Sequence, residues 1–246
     1  MKHSIGKIIV YLLSLISIYL IFLLLNYSFE NNLVFPHPNI ILKNFINILG
    51  SSNIYYILLL EIIKLVTIVF IGFLLAIILV YLSYRFKMFK TFISPYISIF
   101  RSVPIVIIIS ILMVILGLDL APYIMTILVI IPISYEVMLN ALNNIPKEIK
   151  DSYLLESKRN IKIFSIMEVP LIKENIKSAT VNSIGLGFKV MIMAEFICYT
   201  PNSFGSIIIN SANNLEYSRL YAFSIFIIII VILFEYLYKY INKHWL

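Results

Sequence analysis

Residues 55–83 read YYILLLEIIKLVTIVFIGFLLAIILVYLS, and this run decides the fold class. Its only charged side chains are Glu61 and Lys64. A helix needs about 20 apolar residues to cross the hydrocarbon core of a bilayer, because it rises about 1.5 Å per residue. This run is longer than that, and comparable runs recur along the chain. Of the 246 residues, 61% are hydrophobic and 13% are Asp, Glu, Lys or Arg, about half the charge that covers a soluble domain. The pattern predicts an all-α, polytopic membrane protein, a single transmembrane domain over residues 1–246.

Working outward, six transmembrane helices are expected at about 8–26, 55–83, 92–116, 121–139, 179–199 and 220–240. With the N-terminus in the cytoplasm, the inner segments hold Lys2, Lys7, Arg85, Lys87, Lys90, Lys147, Lys150, Lys158, Arg159, Lys162, Lys173, Lys177, Lys239 and Lys243. The outer segments hold only Lys43 and Arg219. That asymmetry obeys the positive-inside rule and places both termini in the cytoplasm. The net charge of +7 therefore reflects topology and not nucleic-acid binding. The first segment is long for a signal peptide and no small-x-small cleavage site follows it, so a retained helix is expected. Cys198 is the single cysteine, which excludes an intrachain disulfide and a cysteine metal cluster.

Two segments outside the spans carry patterns of their own. Phe35-Pro36-His37-Pro38 favours an extended entry to the stretch that follows. There Ile41, Leu42, Phe45, Ile46 and Leu49 have the spacing of a short amphipathic helix over residues 40–49, lying along the outer surface. The inner loop 140–178 is the longest and most charged. Pro146-Lys147-Glu148 suits a helix start, and at Val169-Pro170 a helix would stop or bend. The loop has room for two short helices offered to a cytoplasmic partner; the plainer alternative is a basic loop held by anionic lipid.

At this loop the sequence resembles the binding-protein-dependent ABC importer permeases, whose signature is EAA-x3-G-x9-I-x-L-P. The matching positions read Asp151-Ser152-Tyr153, Ser157 and Met167-Glu168-Val169-Pro170. The spacing is kept, while the two alanines and the glycine are replaced. Phe35-Pro36-His37-Pro38 resembles the LPxP motif of the nitrate/sulfonate/taurine-like subfamily, and Phe100-Arg101-Ser102-Val103-Pro104 resembles its LRxxP. Met193-Ala194-Glu195 resembles its alanine–glutamate pair, Ser203-Phe204-Gly205 with Ile207 its GLGxxI turn, and Lys243-His244-Trp245 its basic–Trp ending.

The resemblance implies a type I importer permease in the bacterial cytoplasmic membrane. It implies a cytoplasmic ABC ATPase dimer, a second permease subunit in a homodimer, and an external substrate-binding protein as partners. The loop becomes a coupling element resting on the ATPase: Tyr153, Leu154, Leu155 and Phe164 are its apolar anchors, Asp151, Ser152, Val169 and Pro170 complete it, and Ser157 stands where the family has its hinge glycine. No cofactor is expected on this chain, because the only Gly-Lys, Gly6-Lys7, lacks the rest of a phosphate-binding loop. ATP and magnesium belong to the partner ATPase, and the chain itself is expected not to be an enzyme.

Charges inside the spans complete the list. Arg101 lies about 15 Å along a helix from Lys90, too deep to snorkel, beside the helix-breaking Pro104. It either lines a path for an anionic solute or pairs with Glu195. Lys189 and Glu195 point to different faces of the fifth span, Glu61 and Lys64 form a local pair, and Glu136 reaches interfacial water. Ala179, Ser183 and Gly187 recur every four residues, a spacing that lets helices approach closely. The expected function is passage of a small anionic or polar solute, of the nitrate, sulfonate, taurine or thiamine-precursor kind. An ion-coupled secondary carrier is the alternative, though internal repeats are absent and titratable relays are sparse.

Overall fold

The computed structural model describes residues 2–29, 33–156 and 160–244. Every regular element among them is helical: α1 (Lys2–Phe29), α2 (Pro38–Leu49), α3 (Ser52–Arg85), α4 (Lys87–Ser102), α5 (Ile105–Asn143), α6 (Lys147–Glu156), α7 (Ile161–Ile163), a π-helical turn (Phe164–Glu168), α8 (Val169–Leu171), α9 (Lys173–Cys198), α10 (Phe204–Asn213) and α11 (Tyr217–His244). Among the described residues four stretches are long and apolar enough to cross a membrane: α3, α5, α9 and Tyr217–Phe234 of α11. Ile16–Phe29 of α1 is a shorter apolar stretch.

The expected span 92–116 is not one helix. Val103 is extended (φ −73°, ψ 132°) and ends α4, and Pro104 caps α5. The proline ring pushes the residue before it out of the helical region, and proline has no N–H to give to the preceding turn. A second break lies at Gly117 inside α5, with φ 79° and ψ 174°, a conformation open essentially to glycine alone. The chain reverses there. Ile109 packs in one cluster with Ala121, Met125 and Val129, although Ile109 and Val129 would stand about 30 Å apart on a straight helix. The expected spans 92–116 and 121–139 thus become α4, a short α5 arm (105–116) and a long α5 arm (118–143).

The chain divides into two compact units. One comprises 1–57 and 207–230. In it Phe22 meets Tyr221 edge-on at 5.0 Å and Phe29 stacks on Phe35 at 5.0 Å. The proline pair leads into α2 as expected, and His37 caps that helix by accepting from the Asn39 N–H. Ile41 and Ile48 of α2 are buried, whereas Leu42 and Ile46 are exposed, so the buried stripe is narrower than the sequence pattern suggests. Asn44 donates to Ser218 Oγ at 3.0 Å.

The other unit comprises 58–206 and 231–246. Its seam is α5 against α9. Ala179, Ser183 and Gly187 are all buried, with Ser183 and Ser134 hydroxyls 3.1 Å apart and Gly187 facing Ile130. The four-residue stripe of small side chains is therefore a packing seam. Gly72 of α3 meets the same Ile130, so two glycines make room for one branched side chain. A further core joins Ala76 and Val80 of α3, Ile97 of α4, Tyr135, Met138 and Leu142 of α5, and Phe164 and Ile172 from the loop.

Candidate functional site

The loop after α5 is built by local rules. Pro146 precedes α6, and Glu148 sits in its first turn, where the helix dipole favours an acid. Asn160 caps α7 by accepting from the Ile163 N–H at 2.9 Å. The π-helical turn inserts an extra residue and carries Glu168 to full burial, where its Oε1 accepts from Tyr153 Oη at 3.0 Å. Phe164 meets Tyr81 of α3 edge-on at 5.1 Å. Pro170 sits inside α8 and the backbone bends at Ile172 (φ −103°, ψ 14°) before α9 starts. The loop is thus a folded arm seated on the chain's own core.

That seating corrects the expected anchors. Tyr153 and Phe164 are each only 6% exposed: Phe164 fastens the arm to α3 and α5, and Tyr153 ties α6 to the π-helical turn through Glu168. Their size and the nearby Glu168 explain this: a buried Tyr hydroxyl wants an acceptor, and Glu168 supplies it. Asp151 and Ser152 are exposed, Val169 packs at the edge of the core, and Pro170 is exposed. Leu154 and Leu155 lie in α6; Ser157 falls outside the described residues, as does Trp245 of the C-terminal motif. Among the described residues the apolar side chains that the arm displays are Ile149, Ile161, Ile166, Met167 and Leu171, each 41–65% exposed. A helical count through 161–171 does not foresee the π-helical turn that holds Met167.

Inside the spans the charges pair differently from expectation. Arg101 does not reach Glu195. It forms an ion pair with Glu136, residues that a straight helix would hold about 50 Å apart and that the reversal at Gly117 brings together. Pro104 is exposed at the N-terminal end of α5. Lys189 is exposed on α9, in line with Asn182, Leu186 and Met193, which are exposed on the same helical face. Glu195 is fully buried and accepts from Lys64 Nζ at 3.3 Å, while the same ammonium donates to Glu61 Oε1 at 3.0 Å. Lys64 also sits 5.6 Å from the centre of the Tyr123 ring. What read as a local pair is a three-residue cluster between α3 and α9.

The motifs around Glu195 and Gly205 form one contact. Gly205, on the first turn of α10, packs directly on the Glu195–Phe196 backbone. One feature had no sequence signal beyond an asparagine-rich stretch. In the first unit, Asn44, Asn47, Ser51, Asn53, Ser218 and the Glu216–Arg219 ion pair line a polar cleft of about 570 Å³.

An all-helical chain with several membrane-length helices, a stapled loop arm and charges held within its spans is a multi-pass membrane protein of the transport type. The family of binding-protein-dependent transport system inner membrane components matches residues 68–246, which takes in the arm and the Gly205–Glu195 contact but not Glu61 or Lys64 of the charged cluster. The chain belongs to that family and is a membrane permease component of binding-protein-dependent transport. Such systems work with an ATPase and a substrate-binding protein. A search of curated protein sequences returns no match.

Proposed function

We propose that this chain is the membrane subunit of an ATP-driven importer, built as a homodimer with six spans per copy and both termini in the cytoplasm, and that it passes a small anionic or polar solute received from an external binding protein. The observation that carries the reading is the arm 146–172. Its large side chains are sunk into the chain's own core, so a push on its outer face is transmitted to α3, α5 and α9. The outer face offers Ile161, Ile166, Met167 and Leu171, flanked by Lys162 and Lys173. Exposed apolar side chains rimmed by charge suit a protein partner better than they suit lipid headgroups alone. Asp151 and Ser152 would set the edge of that contact.

Lys189 supports the anionic class. A lysine exposed on a membrane-spanning helix does not face hydrocarbon at low cost; it faces water or another protein surface. With Asn182 on the same face, it suits the wall of a solute path. Arg101, Pro104 and Glu195 are then less direct candidates, because Arg101 is paired and Glu195 is enclosed. The nitrate/sulfonate/taurine-like subfamily agrees with this charge.

Uptake of candidate anions into proteoliposomes carrying the whole transporter tests the function. Import that requires ATP inside and binding protein outside supports it, with Lys189→Met lowering uptake at unchanged assembly. Uptake that follows an ion gradient without ATP would favour the carrier reading. Single cysteines in a Cys198→Ser background test the topology: Lys147→Cys should react only from the cytoplasmic side and Asn53→Cys only from outside.

A further inference from the structure

The buried cluster holds an uneven number of charges. Glu61 and Lys64 on α3 and Glu195 on α9 contribute two carboxylates and one ammonium, a net charge of −1 if all are ionised. Both glutamates are fully buried, and the lysine side chain is 23% exposed. Lys64 Nζ donates to one oxygen of each carboxyl group. The second oxygens, Glu61 Oε2 and Glu195 Oε2, are buried without a hydrogen-bond donor. Native proteins rarely leave two such acceptors side by side unsatisfied.

We propose that Glu61 and Glu195 form a proton-binding site in which the two carboxyl groups share one proton, making an electroneutral triad with Lys64. One ammonium, Lys64 Nζ, holds both carboxyl groups at once, at 3.0 and 3.3 Å, and carboxyl groups bond to one another only through a proton. A proton bound covalently to one Oε2 and donated to the other satisfies both orphan acceptors at once. It also brings the total charge to zero, which a low-dielectric surrounding demands of like-charged neighbours.

The other groups facing the cluster favour a proton over a metal ion. The Tyr123 ring of α5 lies against Lys64, and the Cys198 thiol lies one turn beyond Glu195 on α9. The backbone N–H groups of Phe204 and Gly205, at the start of α10, face the two carboxyl groups without closing on either Oε2. A metal cation would lie against the ammonium and these N–H dipoles; a proton adds a donor where one is missing. The site asks nothing of the transported solute and stands apart from the transport reading.

Infrared spectroscopy of the full chain in lipid nanodiscs at neutral pH tests this. The expected result is a protonated-carboxyl carbonyl band that vanishes completely in Glu61→Gln and equally in Glu195→Gln. In either variant the remaining carboxylate is balanced by Lys64, and the glutamine N–H replaces the lost donor, so insertion is expected to survive. In Lys64→Met both acids must take a proton, and the band should double. Glu168→Gln, which alters the other buried glutamate, should leave it in place. A band that persists in both glutamine variants, or disappears in only one, would overturn the shared proton, as would a wild-type spectrum with no band assignable to these residues. Should Lys64→Met fail to insert, the two glutamine variants still decide.

Discussion

The backbone of Gly205 lies against that of Glu195. A Cβ on Gly205 would fall 2.6 Å from Glu195 Cβ, 2.4 Å from its carbonyl carbon and 2.3 Å from the Phe196 nitrogen. Backbone atoms cannot swing aside as a long side chain can. Gly205→Ala is expected to cost at or above the upper end of the ~1–3 kcal/mol typical of overpacking. It should also displace α10 from the charged cluster. Thermal unfolding in detergent, compared with Ser206→Ala next door, measures it.

Gly117 is required for a different reason. Nothing lies within 4 Å of a Cβ built there, so space is not the constraint. The backbone angles are, and alanine should cost about 1–3 kcal/mol from strain alone. Asparagine, which tolerates the ordinary left-handed helical region, should not rescue it, because ψ at 174° lies far outside that region. Equal stability of the asparagine variant and wild type would show that the reversal is not set by this residue.

Ile130 touches two glycines through different atoms. The built Cβ of Gly187 meets its Cδ1 at 3.1 Å, and that of Gly72 meets its Cγ2 at 2.8 Å. Ile130→Val removes Cδ1 and keeps Cγ2. It should therefore restore much of the stability lost in Gly187→Ala and little of that lost in Gly72→Ala. A pair of double-mutant cycles reads this as a coupling energy of about 0.5 kcal/mol or more in the first case only.

Tyr153→Phe removes the hydroxyl that donates to Glu168 Oε1. A buried acceptor that loses a donor costs about 1–3 kcal/mol, so the arm should loosen before the spans do. Hydrogen exchange over residues 147–172 should rise while α3 and α9 stay protected. Uniform exchange across the chain would mean that the bond does not staple the arm.

Much of this fold was legible because the hydrocarbon core imposes one rule on every span. Apolar length alone located α3, α9 and α11, and the four-residue spacing of Ala179, Ser183 and Gly187 foretold a close helix seam, though not that α5 is the partner. The third span failed for a local reason: its apolar run continues through Val103 and Pro104, and hydropathy does not register a missing N–H. Gly117 was equally hidden, since a glycine in an apolar run does not declare its φ. A turn between the expected spans 92–116 and 121–139 was foreseen, but hydropathy does not say which side chains meet across it, so the Arg101–Glu136 pair stayed hidden. Within the candidate site, the motif spacing located the arm but not its facing. Tyr153 and Phe164 turn inward because Glu168 and Tyr81 wait there, a tertiary fact with no short-range trace.

The central claim is that the arm 146–172 couples this permease to an ATPase through its exposed apolar face. Co-purification from native membranes tests it most directly, using tagged wild type and the surface variant Ile166→Glu. The account predicts that wild type retains an ATPase subunit. It predicts that the variant inserts and unfolds like wild type yet retains about tenfold less, the equivalent of ~1.4 kcal/mol of contact. An ATPase held equally by both would move the contact elsewhere on the chain, and a wild-type permease that brings down no ATPase and transports without ATP would contradict the account.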